Sequence, residues 1–212
     1  MPSTRLSADG RELLTLAVPA LGALIAEPLY VLADTAVVGR LGTAPLAGLG
    51  VASGALLFGY GLCVFLAYGT TAAVARLTGA GESRRAADQA IQGLWLALAL
   101  GVLLAVVGTL STDAIVSGLG ASGDVAEQAS IYLRTSLLGA PAMLLMMAGV
   151  GYLRGLKDTV RPLQVAVGTA LLNLVLELVL ILGLDRGIGA SAVATVVAQW
   201  AVGKSVTKQI GC

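Results

Sequence analysis

The sequence predicts an all-α integral membrane protein built on six transmembrane helices. Three observations predict it. Of the 212 residues, 57% are hydrophobic and 12% are charged, roughly half the charged share of an ordinary soluble domain, and the mean hydropathy is +0.91. The apolar residues fall into runs close to the ~20 residues a helix needs to cross a bilayer at ~1.5 Å per residue. The runs lack period-2 alternation, so the pattern of a membrane barrel is missing. Helices, which satisfy their own backbone groups, are then left to do the crossing.

The six runs are Leu13–Val38, Ala44–Ala73, Ala90–Leu110, Ala126–Leu153, Pro162–Leu182 and Ile188–Val202. The first follows Arg5 and Arg11, as a signal peptide would, but is expected to be a membrane span. It far exceeds the ~7–15 apolar residues of such a segment, it holds Pro19, Glu27 and Pro28, and no small-residue cleavage site follows. In and just after the second and fourth runs lie the glycine groups Gly48/Gly50/Gly54, Gly59/Gly61 and Gly149/Gly151/Gly155, which suit close helix packing in lipid. After the third, Ser111–Asp124 has short apolar pieces and is expected to form a small interfacial helix, against which Gly118, Gly120 and Gly123 weigh. The sixth run is cut by Lys204 at about 15 residues, roughly 22 Å of helix, short of the hydrocarbon thickness. The tail Gly203–Cys212 differs from the rest and is expected to be a truncated helix or a foreign tail. Residues 1–202 read as one unit.

Orientation follows from the short connections. With the amino terminus inside, Arg5, Arg11, Arg76, Arg84, Arg85, Arg154, Lys157, Arg161, Lys204 and Lys208 lie on one side and only Arg40, Arg134 and Arg186 on the other. The excess of basic residues marks the cytoplasmic face. The expectation is a multi-pass protein of the plasma (inner) membrane with both termini in the cytoplasm.

Several functions are excluded. A net charge of +1, scattered basic residues and 4% aromatics give no surface for nucleic acid. Cys63 and Cys212, with no histidine, make neither a disulfide framework nor a thiolate–imidazole metal site. No nucleophile–base pair, metal motif or phosphate loop is present, so no enzyme and no cofactor is expected.

The informative residues are polar groups inside apolar runs. Asp34 lies in the first run and Asn173 and Glu177 in the fifth. An ionisable group at such depth costs on the order of 2.5–3.5 kcal/mol on insertion scales, and is seldom kept for packing alone. Counting helix rise from the outer ends puts Asp34, Glu177 and Thr195 each about 7–11 Å below the outer boundary. Asn173 and Glu177 are spaced i,i+4 and share a helix face, as do Glu27, Tyr30 and Asp34. Clustered oxygen ligands suit a hard cation, Na⁺ or a proton, while burial and mutual repulsion favour neutralisation of such carboxylates. As structural glue, interhelical hydrogen bonding would explain Tyr30 and Thr195 better than it explains the carboxylates. Pro19 interrupts the hydrogen-bond ladder of the helix that carries Asp34 and offers a kink there.

Taken together, these residues resemble the multidrug and toxic compound extrusion (MATE) family. The segment Pro19-x₇-Glu27-Pro28-x₅-Asp34-x₄-Gly39 is similar to that family's first helix. The loop Gly151 to Pro162, with Arg154, Gly155, Asp158 and Arg161, resembles its connection between helices four and five. Asn173-x₃-Glu177, then Gly183 through Gly189-Ala190 to Ala194-Thr195, resembles its helices five and six. The DNA-damage-inducible, DinF-like branch is most similar, over about residues 11–200. The resemblance implies export of cationic or amphipathic compounds in exchange for H⁺ or Na⁺. Asp34, Asn173, Glu177 and Thr195 would bind the coupling cation, Glu27 and Tyr30 would line the cavity, and Pro19 would mark a conformational bend. It also implies the amino-terminal lobe of a twelve-helix, two-lobed transporter, with a second lobe or a second copy of the chain as partner. The rival expectations are a half-size unit that dimerises, an inert truncated fragment, and a lipid-linked saccharide flippase. The acidic cavity candidates argue against the flippase.

Overall fold

A computed structural model describes residues 8–184 and 186–209, with side chains described over 14–204 apart from positions 23, 27, 182 and 185. Nine α-helices occupy these residues: α1 Ala8–Val38, α2 Thr43–Leu62, α3 Phe65–Gly79, α4 Ser83–Leu110, α5 Thr112–Gly118, α6 Gly123–Leu137, α7 Ala140–Gly155, α8 Val160–Glu177 and α9 Ile188–Gln209. Four stretches are long and apolar enough to cross a membrane, over 14–41, 43–79, 83–110 and 160–181, and the pair α6–α7, bent by 53°, makes a fifth. The helix α9 is not among these stretches; Lys204 and Lys208 sit in its last turns.

Most expected runs appear as helices, with three differences. The second run breaks at Cys63–Val64 into α2 and α3. The fourth is bent between Leu137 and Ala140, where Gly139 occupies the break. The sixth does not stop at Val202 but stays helical through Gln209, so the first part of the expected tail continues α9. Residues 210–212 lie outside the described residues. The short helix expected in 111–124 is α5; Gly118 ends it, while Gly120 and Gly123 turn the chain with φ of 83° and 57°. α1 runs unbroken through Pro19 and Pro28, although each proline lacks the N–H that closes one ladder bond.

The α7–α8 connection shows how local sequence sets an angle. Lys157 takes φ 61°, Lys157 N–H donates to Arg154 O at 3.0 Å and Asp158 N–H to Leu153 O at 2.9 Å. This is the left-handed closure that ends many helices. Asp158 Oδ1 then accepts from the N–H groups of Val160 and Arg161 at 3.1 and 3.0 Å. It thereby satisfies donors at the start of α8 that have no partner within the helix.

α3 and α4 pack on α7, α2 packs on α6, and α1 packs on α8, which in turn packs on α9; α9 also lies against α6 and α7. α4 approaches α7 closely because Gly101 has no side chain: a Cβ there would stand 2.4 Å from Pro141 Cα. Two apolar cores result. One joins Val38, Leu49, Tyr132, Leu133, Ile181 and Ile188, and the other joins Leu66, Val74, Leu94, Leu144 and Val165. Large apolar side chains such as Leu57, Phe58, Trp95 and Leu110 point outward, as expected of a surface bathed in hydrocarbon.

Candidate functional site

Asp34 lies in the last turn but one of α1, five residues before Gly39, where the tight 3₁₀ turn Gly39–Leu41 begins. Glu177 is the last residue of α8; a π-helical segment, Leu178–Gly183, follows it directly. Such widened turns recur at functional sites because they redirect the side chains around them. Ser191 and Thr195 sit one turn apart near the start of α9. Because α1 packs on α8 and α8 on α9, three separate segments deliver their polar groups to one level.

The centre of the cluster is Ser191. Its Oγ lies 3.0 Å from Asp34 Oδ1 and 2.5 Å from Glu177 Oε1. Asp34 is 6% exposed, Asn173 1%, and Glu177 and Ser191 0%. No Lys or Arg is buried among the described residues. The described ion pairs, Arg85–Glu82, Arg134–Asp113 and Arg161–Asp158, all join at least one exposed partner. Two carboxylates, with a formal charge of −2, thus face one hydroxyl, which brings a single hydrogen to two acceptors. Two full hydrogen bonds need a second hydrogen, carried by one of the carboxyls; a metal cation between the oxygens would instead offset the charge by coordination.

Asn173 and Glu177 share a face of α8 and stand side by side there. Both side-chain polar atoms of Asn173, and Glu177 Oε2, are buried without a hydrogen-bond partner among the described residues. Orphaned buried atoms are costly and call for a partner. The oxygens of Asn173, Glu177 and Asp34 together form a hard-donor set that fits Na⁺ and fits a bound proton equally. The described residues hold no group of three or more His, Cys, Asp or Glu able to bind a metal ion.

Thr195 is placed differently from the expectation. Its hydroxyl donates to Ser191 O at 3.1 Å and meets Tyr30 OH at 3.3 Å. Either hydroxyl can donate in that contact. No hydrogen bond joins Thr195 to a carboxylate among the described residues. Tyr30, Asp34 and Glu177 line a cavity of about 220 Å³ between α1 and α8, walled otherwise by apolar side chains such as Leu29, Leu171 and Leu174. The Glu27 side chain lies outside the described residues. Pro19 is half-buried in α1, about 22 Å of helix before Asp34.

Two residues escaped the sequence reading. Ser191 precedes Thr195 by four and so shares its face, a signal that was available. Tyr132 of α6 is buried beside Asp34, Tyr30 and Thr195; nothing in the spacing of α6 marks it out. A wider depression of about 410 Å³ lies between α5 and α6, around Asp113, Glu127 and Arg134. None of the expected site residues falls there.

Comparison with known proteins matches this geometry to a family. The family model described as MatE covers residues 19–179. The DNA damage-inducible protein F of Escherichia coli (strain K12) is 35% identical over 197 residues, which are 92% of this chain and 43% of that protein. A solved outward-facing multidrug resistance MATE family transporter of the MOP superfamily superposes with a TM-score of 0.88 at 30% identity, over 94% of this chain and 44% of that one. The same TM-score, identity and coverage hold for a MOP superfamily transporter from Pyrococcus furiosus, described as having a binding pocket of reverse polarity that suggests a different function. The chain spans less than half the length of these relatives.

Proposed function

Because the chain belongs to the MatE family, with the fold of a MATE transporter's amino-terminal lobe, we propose that it supplies the cation-binding lobe of a drug exporter. In this reading cationic or amphipathic compounds leave the cell in exchange for H⁺ or Na⁺. The observation that carries it is the buried Asp34–Ser191–Glu177 cluster at the wall of the α1–α8 cavity. A formal charge of −2 without a buried basic partner demands a positive charge, and the cavity gives two candidates access to it. A cationic substrate and a coupling cation compete for the same carboxylates, and that competition is what exchange requires. Neutralising Asp34 and Glu177 weakens the hold on a cationic substrate and changes what α1 packs against. Pro19, where the ladder lacks a bond, is the place for α1 to bend in response. Both termini face the cytoplasm, and a second lobe or a second copy of the chain completes the path. The role is transport across a membrane, not catalysis.

A lipid-linked saccharide flippase is disfavoured by the charge of the site, since a pyrophosphate group asks for Arg or Lys where this cavity has Asp34 and Glu177. The test is efflux of a cationic dye from cells, driven by an imposed H⁺ or Na⁺ gradient. It is run with this chain alone and with a carboxy-terminal MATE lobe supplied as a separate chain. Gradient-driven efflux that Asp34→Asn abolishes is expected in at least the second case. Efflux unchanged by Asp34→Asn would refute the coupling role, and no efflux in either arrangement would favour an inert fragment.

A further inference from the structure

The three carboxylate and amide side chains do not explain how the cluster is held together; Ser191 does. It is fully buried, it stands on a third helix, and its Oγ reaches both Asp34 Oδ1 at 3.0 Å and Glu177 Oε1 at 2.5 Å. Asp34 and Glu177 belong to different helices, and like charges drive them apart unless something stands between them. Ser191 Oγ meets Asp34 from α1 and Glu177 from α8, and the groups around those carboxylates are Tyr30 from α1, Tyr132 from α6, Asn173 from α8 and Thr195 from α9. None of these brings a positive charge. Thr195 is engaged with Tyr30 and with the Ser191 carbonyl. Ser191 occupies one oxygen of each carboxylate, while Glu177 Oε2 and the Asn173 side chain remain unpartnered.

We propose that Ser191 is a positioning residue of the cation site. Its hydroxyl ties the Asp34 carboxylate of α1 to the Glu177 carboxylate of α8, so that both engage one cation as a single unit and α9 moves with them. The inference rests on the cation-coupling reading above and adds the group that sets the geometry. Removing the hydroxyl leaves every proposed ligand in place but lets the two carboxylates separate.

The test uses the full chain, purified in detergent or nanodiscs. Thermal unfolding is followed during titration with sodium chloride against choline chloride at constant ionic strength, and separately across pH at fixed salt. The wild-type chain is expected to be stabilised by at least one of the two cations. In Ser191→Ala the half-saturating cation concentration is expected to rise about tenfold or more, the loss of one hydrogen bond to a charged group, while Ser191→Thr stays close to wild type. A purely structural serine would lower the unfolding temperature without cation and leave the half-saturating concentration unchanged, and that result overturns the proposal. Should Ser191→Ala fail to fold, Ser191→Thr and Ser191→Val form an isosteric pair differing by the hydroxyl, and equal cation responses from them overturn it. A wild-type chain that ignores both Na⁺ and pH removes the cation-coupling reading itself. A response in wild type that Ser191→Ala shares in full removes only the role of Ser191.

Discussion

At the scale of single residues, the cluster separates groups that hold charge from groups that hold geometry. Glu177 is fully buried and one of its oxygens has no partner, so its charge is the expensive item and the one to remove. Glu177→Gln keeps the shape and the hydrogen-bonding reach of the side chain. The expected outcome is a chain at least as stable as wild type in the absence of coupling cation, with its cation-dependent stabilisation lost, read by thermal unfolding with and without Na⁺ and at two pH values. Tyr30→Phe is the contrasting case. It removes one neutral hydrogen bond of 3.3 Å to Thr195, which is expected to cost about 0.5–1.5 kcal/mol and to leave cation response intact. Asp34, Asn173 and Glu177 were legible in the sequence because a charge or amide in an apolar run is costly wherever it points. Ser191 left only a weak mark, its spacing of four from Thr195, because a hydroxyl hides easily in a helix by bonding its own backbone. Only the packing of α1, α8 and α9 reveals that its Oγ faces two carboxylates instead.

At the scale of elements, the apolar runs located the helices but not their breaks. The α6–α7 bend of 53° has no proline in the break itself, and hydropathy is blind to it. What stabilises the bend comes from a distant element: Trp200 Nε1 of α9 donates to Leu138 O at 3.1 Å, meeting a carbonyl that a continuous helix would have used itself. Trp200→Phe keeps the ring and removes that donor. It is expected to destabilise the chain by about 1 kcal/mol, measured by chemical or thermal unfolding. Small residues follow the same logic. Gly101→Ala would place a Cβ 2.4 Å from Pro141 Cα, forcing α4 from α7 at an expected cost of about 1–3 kcal/mol. Gly54 on α2 has nothing within 4 Å of the same construction. Gly54→Ala is expected to be neutral or to stabilise by about 0.5–1 kcal/mol through helix propensity. Sequence alone could not distinguish these two positions, since the distinction is made by what the opposite helix presents.

At the scale of the whole molecule, the arrangement sets the depth of the site and hence the side from which it is reached. α8 begins at the basic connection holding Arg154, Lys157 and Arg161, and Glu177 stands seventeen residues after Val160, about 26 Å of helix away. The α3–α4 connection, with Arg76, Arg84 and Arg85, reads as the same basic side. If that side is cytoplasmic, the acidic cluster lies in the outer half of the membrane, and external cations reach it first. Exchange of an inward cation for an outward drug then follows the gradient directly. The orientation is open to a labelling experiment in intact cells. With Cys63→Ser and Cys212→Ser as background, exposed positions Ser122 and Ser83 are replaced singly by cysteine and treated with a membrane-impermeant maleimide. Labelling at position 122 before permeabilisation, and at position 83 only after it, is the expected pattern. The reverse pattern would put the cluster in the cytoplasmic half. The carboxylates would then be charged from inside, and an inward gradient of the coupling cation could not drive export through them without a further step.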